Sequence, residues 1–554
     1  LTAVTAALGG GAALTACGGD DEQPEFLYGV ASGDPLADRV ILWTHARCPG
    51  RDGNLTLCWE VADDAAFTRV VSSGQATARR DAGHTVKVDA AGLAAGRTYY
   101  CRFSAAGAHS PVGQTRTLPA TATELRLAVT SCSNYPAGFF NVYADVARSD
   151  AEFAIHPGDC IYEYAAGGYA SAGAAALGCS SVPATEVLSL DDYRRRHALY
   201  KSDADSKTLH ARMPMIAVWD DHEIANDAFS GGAENHDPAT EGSWAARRDA
   251  ALQAYHEWMP IRTGAERSRI YRSFNFGNPV HLHMLDTRLF GCDPQLGIGA
   301  LAGLEGPAAQ AAVTGAYTSP ARQLLGAEQQ AWLQGQLASS PATWQVLGQQ
   351  VLVGRMEFPV SVLAALNSTD TSPAAVAAGT AAITACLTAK ATPAALRTAE
   401  QAALMSPAVN PMLGCNLDAW DGYLAARETV LATARQLGRK LVVLAGDTHN
   451  AWHSDLTLKG LASPALAGVK VGEEFATSSV SSPGLESYLP LPPAQVKGIF
   501  ESVVDDLNWI DPSRRGYLKM RFTAAEAVGE WVFIDTITSR SFVASVGHTA
   551  RCTA

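Results

Sequence analysis

With 554 residues, 47% of them hydrophobic and 18% charged, the chain is long enough for two or three domains and has the makeup of an ordinary globular protein. A formal net charge of -13 argues against bulk electrostatic binding to nucleic acid or to an anionic membrane surface, and suits the binding of metal cations.

The first stretch, over 1–25, is rich in small residues, reaches Leu14-Thr15-Ala16-Cys17 and then turns acidic. Its apolar part is too short and too weakly apolar to span a bilayer, and no other run approaches the roughly 20 apolar residues that a span needs. The tetrad resembles a bacterial lipobox. That resemblance implies cleavage before Cys17, a lipid on that cysteine, and a periplasmic or cell-surface protein held to the membrane by it. An oxidising compartment permits disulfides among the eleven cysteines.

From Phe26 to about residue 120, β-rich runs such as RVILWTHA, LTLCWEV, HTVKVDA and RTYYCRF alternate with Gly, Asp and Pro turns. The expected unit is an all-β sandwich. LAAGRTYYCRF resembles the tyrosine corner of immunoglobulin- or fibronectin-like domains, where a Tyr hydroxyl ties a strand to the loop before it. Cys58 and Cys101 fall on two of these strands, either bridged or as buried thiols.

Over 121–554 apolar strands alternate with helical stretches, the mark of an α/β domain. The strands are LRLAVT, EFAIH, PMIAVW, VHLHML, WQVLGQQ and KLVVLA. Helices DDYRRRHALY, SWAARRDAALQAYHEWM, EQQAWLQGQL and RETVLATARQLG lie between them. Two Ala-rich regions, near 291–320 and 359–415, read as insertions on the rim, the second with Cys386 and Cys415 as a possible staple. FATSSVSSPG, WVFIDTI and SFVASVG read as strands closing a second sheet.

Polar clusters stand at most strand ends, where ligands bind in open α/β sheets: Cys132, Asp159 with Tyr162, Asp220 to Glu223, and Asp447 with His449. Thiolate and phenolate suit ferric iron, whereas carboxylate oxygens suit calcium, magnesium or manganese. Asp159, central in the series, is the natural bridging carboxylate. No phosphate-binding Gly-Lys-Ser/Thr loop or Gly-x-Ser-x-Gly elbow competes with a metal reading.

The series Gly158-Asp159-x-x-Tyr162, Asp221-His222-Glu223 and Gly446-Asp447-x-His449 resembles the metallophosphoesterase motifs of purple acid phosphatases. The alkaline phosphatase D (PhoD) family is a closer match, through FLYGVASGDPLADRVILWTHA, SCSNYPAGFF, HPGDCIYEY, VWDDHEIAND, LDTR, WQVLGQQV, LAGDTHNAWHSDL and SSVSSPG in order. The resemblance implies two mixed β-sheets flanked by helices, and hydrolysis of phosphate mono- or diesters by attack of a metal-held water or oxide on phosphorus. It implies iron(III) on Cys132, Asp159, Tyr162 and His449, and one or two calcium ions on Asp159, Asp221 and Asp447, with Asn226 as a further ligand. Manganese, magnesium or zinc are alternatives to calcium.

Some roles stay open at this point. Tyr164 is a second candidate beside Tyr162, although the three-residue spacing from Asp159 favours Tyr162. Asp220 is a helix cap or a supporting carboxylate. His222 either orients a ligand or protonates the leaving group. Arg288 either holds a phosphate oxygen or forms a structural ion pair. Cys160 is a disulfide partner or packed thiol before it is a ligand. A phospholipase D-like or cell-wall diesterase is an alternative activity, and a non-catalytic surface lipoprotein with a structural metal is the alternative from another class.

Overall fold

The computed structural model describes residues 23–297, 315–489 and 491–554, apart from 367, 369 and 371. Cys17 with its tetrad, and the middle of the first insertion, lie outside the described residues.

Two large sheets share one apolar core. In the first, Glu124–Val129, Phe153–His156 and Met215–Ala217 run parallel side by side. Gly516–Thr523, Glu526–Ile534 and Ala544–Thr553 extend that sheet on one flank. The second sheet has seven strands, with Val280–Met284, Trp344–Gly348, Lys440–Ala445 and Lys470–Ala476 parallel at its centre. Their near-continuous apolar composition fits strands covered on both faces. Leu127, Ile155 and Ile216 of the first sheet and Leu282, Val346 and Val442 of the second belong to the same buried cluster. The four expected helices form as Leu190–Ser202, Trp244–Trp258, Gly326–Ser339 and Leu424–Gln436. WVFIDTI and SFVASVG fall in the first sheet rather than closing the second, and the run after Ala476 is loop.

The amino-terminal part is all-β, but one of its layers is not separate. Val30–Gly33, Arg39–His45 and Thr85–Ala91 continue the first large sheet through the parallel pairing of Gly33 with Met215. A five-stranded sheet, centred on Leu55–Ala62 and Thr98–Ala105, covers that extension through Leu42, Leu57, Val86 and Phe103. Tyr99 Oη accepts the Ala94 N–H at 2.8 Å, the tie expected of the LAAGRTYYCRF stretch. Cys58 pairs across the ladder with Ser104, while Cys101 pairs with Val61. Three residues of offset put the two sulfurs on opposite faces, so both are free thiols. Cys160, Cys386 and Cys415 are also free, whereas Cys48 is disulfide-bonded.

The second insertion carries helices Val360–Leu366, Pro373–Ala391 and Ala399–Leu404 between the paired strands Glu357–Pro359 and Met412–Gly414. Contrary to the reading of the sequence, Pro373–Ala391 is long and apolar enough to cross a membrane by length and composition. Its alanines, with Val376, Ile383, Cys386 and Leu387, give it that hydropathy without a continuous run of large apolar side chains.

Beneath this hairpin Asp421 is buried, with Oδ2 accepting the Met356 N–H at 2.7 Å and Oδ1 without a partner among the described residues. Burial, then the Glu357 charge, pushes its carboxyl up to about 7. A folded-state value raised above that of the unfolded chain means the native state holds the extra proton, and stability falls as pH rises through that window. Asp421→Asn does not titrate. Relative to wild type it should gain about 3–4 kcal/mol between about pH 4 and pH 7.5, read from urea midpoints at the two pH values.

Candidate metal centre

Strand ends deliver the predicted side chains to one place. Cys132 follows Glu124–Val129, Asp159 follows Phe153–His156, Asp220 and Asp221 follow Met215–Ala217, and Asp447 and His449 follow Lys440–Ala445. Cys132, Asp159, Asp447 and His449 all adopt left-handed backbone, with φ of 60°, 58°, 63° and 61°. Non-glycine residues rarely sit there, and such strain persists where the surroundings over-determine it. Gly158 allows the closest approach: a Cβ on it would lie 2.3 Å from Asp220 Cβ. Glu223 then staples the turns together, accepting the N–H of Asp159 at 3.1 Å, of Asp220 at 2.7 Å, and of Cys160.

Three groups of donor atoms result, each within 4.8 Å: Cys132, Asp159 and His449; Asp159, Asp221 and His222; and Asp220, Asp221 and Asp447. Asp159 belongs to the first two, Asp221 to the last two. Tyr162 Oη joins the first group, 2.9 Å from Asp159 Oδ2 and 3.1 Å from His449 Nε2, and Ser482 Oγ lies 2.7 Å from the same phenol. Tyr164 instead lies against His222 and Tyr169.

Burial holds His449 as a neutral imidazole, near 3. Its Nδ1–H donates to the Pro483 carbonyl at 2.8 Å, which leaves the Nε2 lone pair facing Tyr162. Burial, with Asp159 as the next cause, pushes the Cys132 thiol and the Tyr162 phenol up. Asp159 is driven up by burial and by Asp221, Glu223 and Asp447, against the pull of His222. Asp447 rises to about 7, mainly through burial. His222 donates Nδ1–H to Glu163 Oε2 at 2.7 Å; burial would lower its pKa, but Asp221, Glu163 and Asp159 raise it.

Arg288 is 0% exposed and surrounded by carboxylates. Nε donates to Asp220 Oδ1 at 2.5 Å, Nη1 to Asp418, and Nη2 to Asp447 Oδ1 at 3.1 Å, with Asp221 Oδ1 at 3.7 Å. That is the ion-pair arrangement among the alternatives. Asn226 turns its amide to Glu234 Oε2 at 2.7 Å and donates its backbone N–H to Glu163 at 2.8 Å, so its described bonds do not join the metal groups. Cys160 turns to the rear of the loop, with its sulfur 3.8 Å from that of Met259.

Several contributors escaped the sequence reading. Asp418 lies beyond the second insertion with no motif to mark it, and Ser482 is one serine in a serine-rich loop. Tyr169 Oη lies 3.1 Å from His449 Nδ1 and accepts from Tyr488 at 2.9 Å, which lines the approach with aromatic rings. Glu163, by contrast, is legible as a supporting residue from its place between Tyr162 and Tyr164, and the structure supplies its partners, His222, Asn226 and Asn235.

The donor set fits metal cations. Asp159 Oδ1 and Asp221 Oδ1 are buried with no hydrogen-bond partner among the described residues, and only Asp221 Oδ1 has an ion-pair neighbour, Arg288 at 3.7 Å. Buried anionic oxygens of this kind need a cation or a proton, and metal binding displaces the protons. Comparisons with known proteins bear on what the centre is for. A family model described as PhoD-like phosphatase matches residues 127–531, and the model of its N-terminal domain matches residues 12–119.

The chain belongs to the PhoD-like phosphatase family.

It is 33% identical over 473 residues to alkaline phosphatase D of Bacillus subtilis (strain 168), covering 83% of this chain and 70% of that protein. A solved structure titled "Structure of PhoD" superposes with a TM-score of 0.75 at 28% identity, over 95% of this chain and 90% of the other. This member of the PhoD-like family is accordingly an alkaline phosphatase/phosphodiesterase D type hydrolase acting on phosphate esters.

Proposed function

We propose that the chain is an exported phosphoesterase that uses iron(III) on Cys132, Asp159, Tyr162 and His449 beside calcium on Asp159, Asp221 and Asp447 to hydrolyse phosphate mono- or diesters. The supporting observation is the shared position of Asp159, whose Oδ1 is buried and unpartnered between the two groups. The donor chemistry favours this choice of ions: thiolate, phenolate and imidazole on one side, and carboxylates on the other, with the His222 imidazole beside Asp159 and Asp221. Bound there, the ions supply charge neutralisation and a water of lowered pKa.

The protein's own groups supply the rest. Glu163 holds His222 in one tautomer and orientation, with Nε2 toward Asp159 and Asp221, so that the imidazole can pass a proton to the departing ester oxygen. Arg288 locks Asp220, Asp418 and Asp447 in place. The rings of Tyr169 and Tyr488 offer a flat apolar wall to the ester group.

Turnover of an aryl monoester and a bis-aryl diester by the metal-loaded protein tests the reading, which fails if neither is hydrolysed. His222→Asn should slow an alkyl ester by about 10²–10⁴-fold and a nitrophenyl ester much less, because the better leaving group needs no proton. A ferric phenolate and thiolate centre should show a visible charge-transfer band that Tyr162→Phe shifts or removes. Colourless, iron-free protein with full activity would rule out the iron assignment. Export and a lipid on Cys17 are part of the same reading and rest on the Leu14-Thr15-Ala16-Cys17 tetrad. Mass spectrometry of the amino-terminal peptide decides it: a disulfide at Cys17 in place of a lipid thioether would overturn the anchor.

A further inference from the structure

On the rear of the turn that carries Asp159 lies a small recess lined by Tyr143, His156, Cys160, His197, Lys201 and His210, with no carboxylate among its lining residues. Lys201, on helix Leu190–Ser202, is 6% exposed and makes no ion pair among the described residues. Its Nζ lies 2.5 Å from His210 Nε2 and 5.8 Å from the ring centre of Trp43. Burying an ammonium ion without an anion is strongly unfavourable. The cation–π contact with Trp43, at the long end of the useful range, offsets only part of that cost. Burial lowers Lys201 only to about 8, so it is still largely charged at neutral pH.

The imidazoles around it are neutral, because burial holds His156 and His197 near 3 and His210 well below its ordinary value. Since Lys201 donates to His210 Nε2, the His210 proton is on Nδ1, and that N–H is buried with no acceptor among the described residues. His197 Nε2 is likewise without a partner. His156 is committed: Nδ1 accepts the Gly158 N–H at 3.4 Å, so Nε2–H faces Tyr143 Oη at 3.0 Å. The recess therefore presents one cation and one orphan N–H, with no anion to meet them. Its cavity volume is about 20 Å³. That is room for a single-atom ion.

We propose that this recess binds one monovalent halide ion, such as chloride, between Lys201 and His210. His156 and Cys160 line the recess and flank Asp159 in sequence, so the ion braces the metal-bearing turn from behind. The assignment is independent of which metals occupy the centre and of which ester is hydrolysed.

Crystals of the full chain grown in bromide should show an anomalous peak within hydrogen-bonding distance of Lys201 Nζ. In solution, exchanging gluconate for chloride at constant ionic strength should raise the unfolding midpoint of the metal-loaded protein saturably, by on the order of 1–2 °C at tenfold excess over Kd. Lys201→Met should abolish that response while a general salt effect would persist. A recess holding only water in the bromide crystals overturns the proposal. So does a chloride response that Lys201→Met retains. The bromide experiment uses the unmodified chain, so it decides the matter even where Lys201→Met does not fold.

Discussion

Asp159→Asn is expected to lower kcat/KM by about 10³-fold or more, equivalent to several kcal/mol of transition-state stabilisation. Asparagine preserves the shape of the side chain and one oxygen for the Tyr162 hydroxyl, which now donates to Asp159 Oδ2 at 2.9 Å. What it removes is the negative charge common to the Cys132 group and the Asp221 group. Metal analysis should then find fewer ions per chain, while far-ultraviolet dichroism remains that of the wild type. A variant with its full metal content and undiminished turnover would show that Asp159 does not bridge.

Arg288→Met should destabilise the metal-depleted protein by about 3–5 kcal/mol, because it leaves buried carboxylates without their cation. Arg288 touches Asp220, Asp418 and Asp447 and has Asp221 within 3.7 Å, all in a fully buried setting. Calcium should return part of the loss, since a divalent ion answers the same charges. Thermal unfolding with and without calcium reads both effects. Unchanged stability together with a raised KM would instead make Arg288 a substrate contact.

The two variants also divide what was legible in the sequence from what was not. Asp159 stands in Gly158-Asp159-x-x-Tyr162, a local motif at a strand end, and its spacing from Tyr162 within one turn limits how the two side chains can meet. Arg288 stands in LDTR, a stretch that names the residue but not its neighbours, which come from three other segments. The ion pairs that Arg288 makes with Asp220, Asp418 and Asp447 are visible only in the fold. Asn226 illustrates the same limit: its place five residues from Asp221 does not reveal that its side-chain NH2 donates to Glu234 and its backbone N–H to Glu163.

Disulfides and sheet membership failed for a related reason. Cys58 and Cys101 occupy strands that do pair, yet the three-residue offset in register puts their side chains on opposite faces. Val30–Gly33 reads as part of a separate β unit, but its pairing with Met215–Ala217 joins it to the large sheet. Register and sheet neighbours depend on which distant chains bury each other's apolar faces, and no window of the sequence contains both partners.

By itself, the sequence determined the alternation of strands and helices, the family motifs and the donor types at each strand end, because hydrophobic period and ligand chemistry are properties of short stretches. The tertiary structure alone decided that Asp159 is shared, that Arg288 is enclosed by carboxylates, that Glu163 holds His222, and that Lys201 is buried without an anion. Those facts concern distances between residues tens to hundreds of positions apart, and only the packing of the two sheets sets those distances.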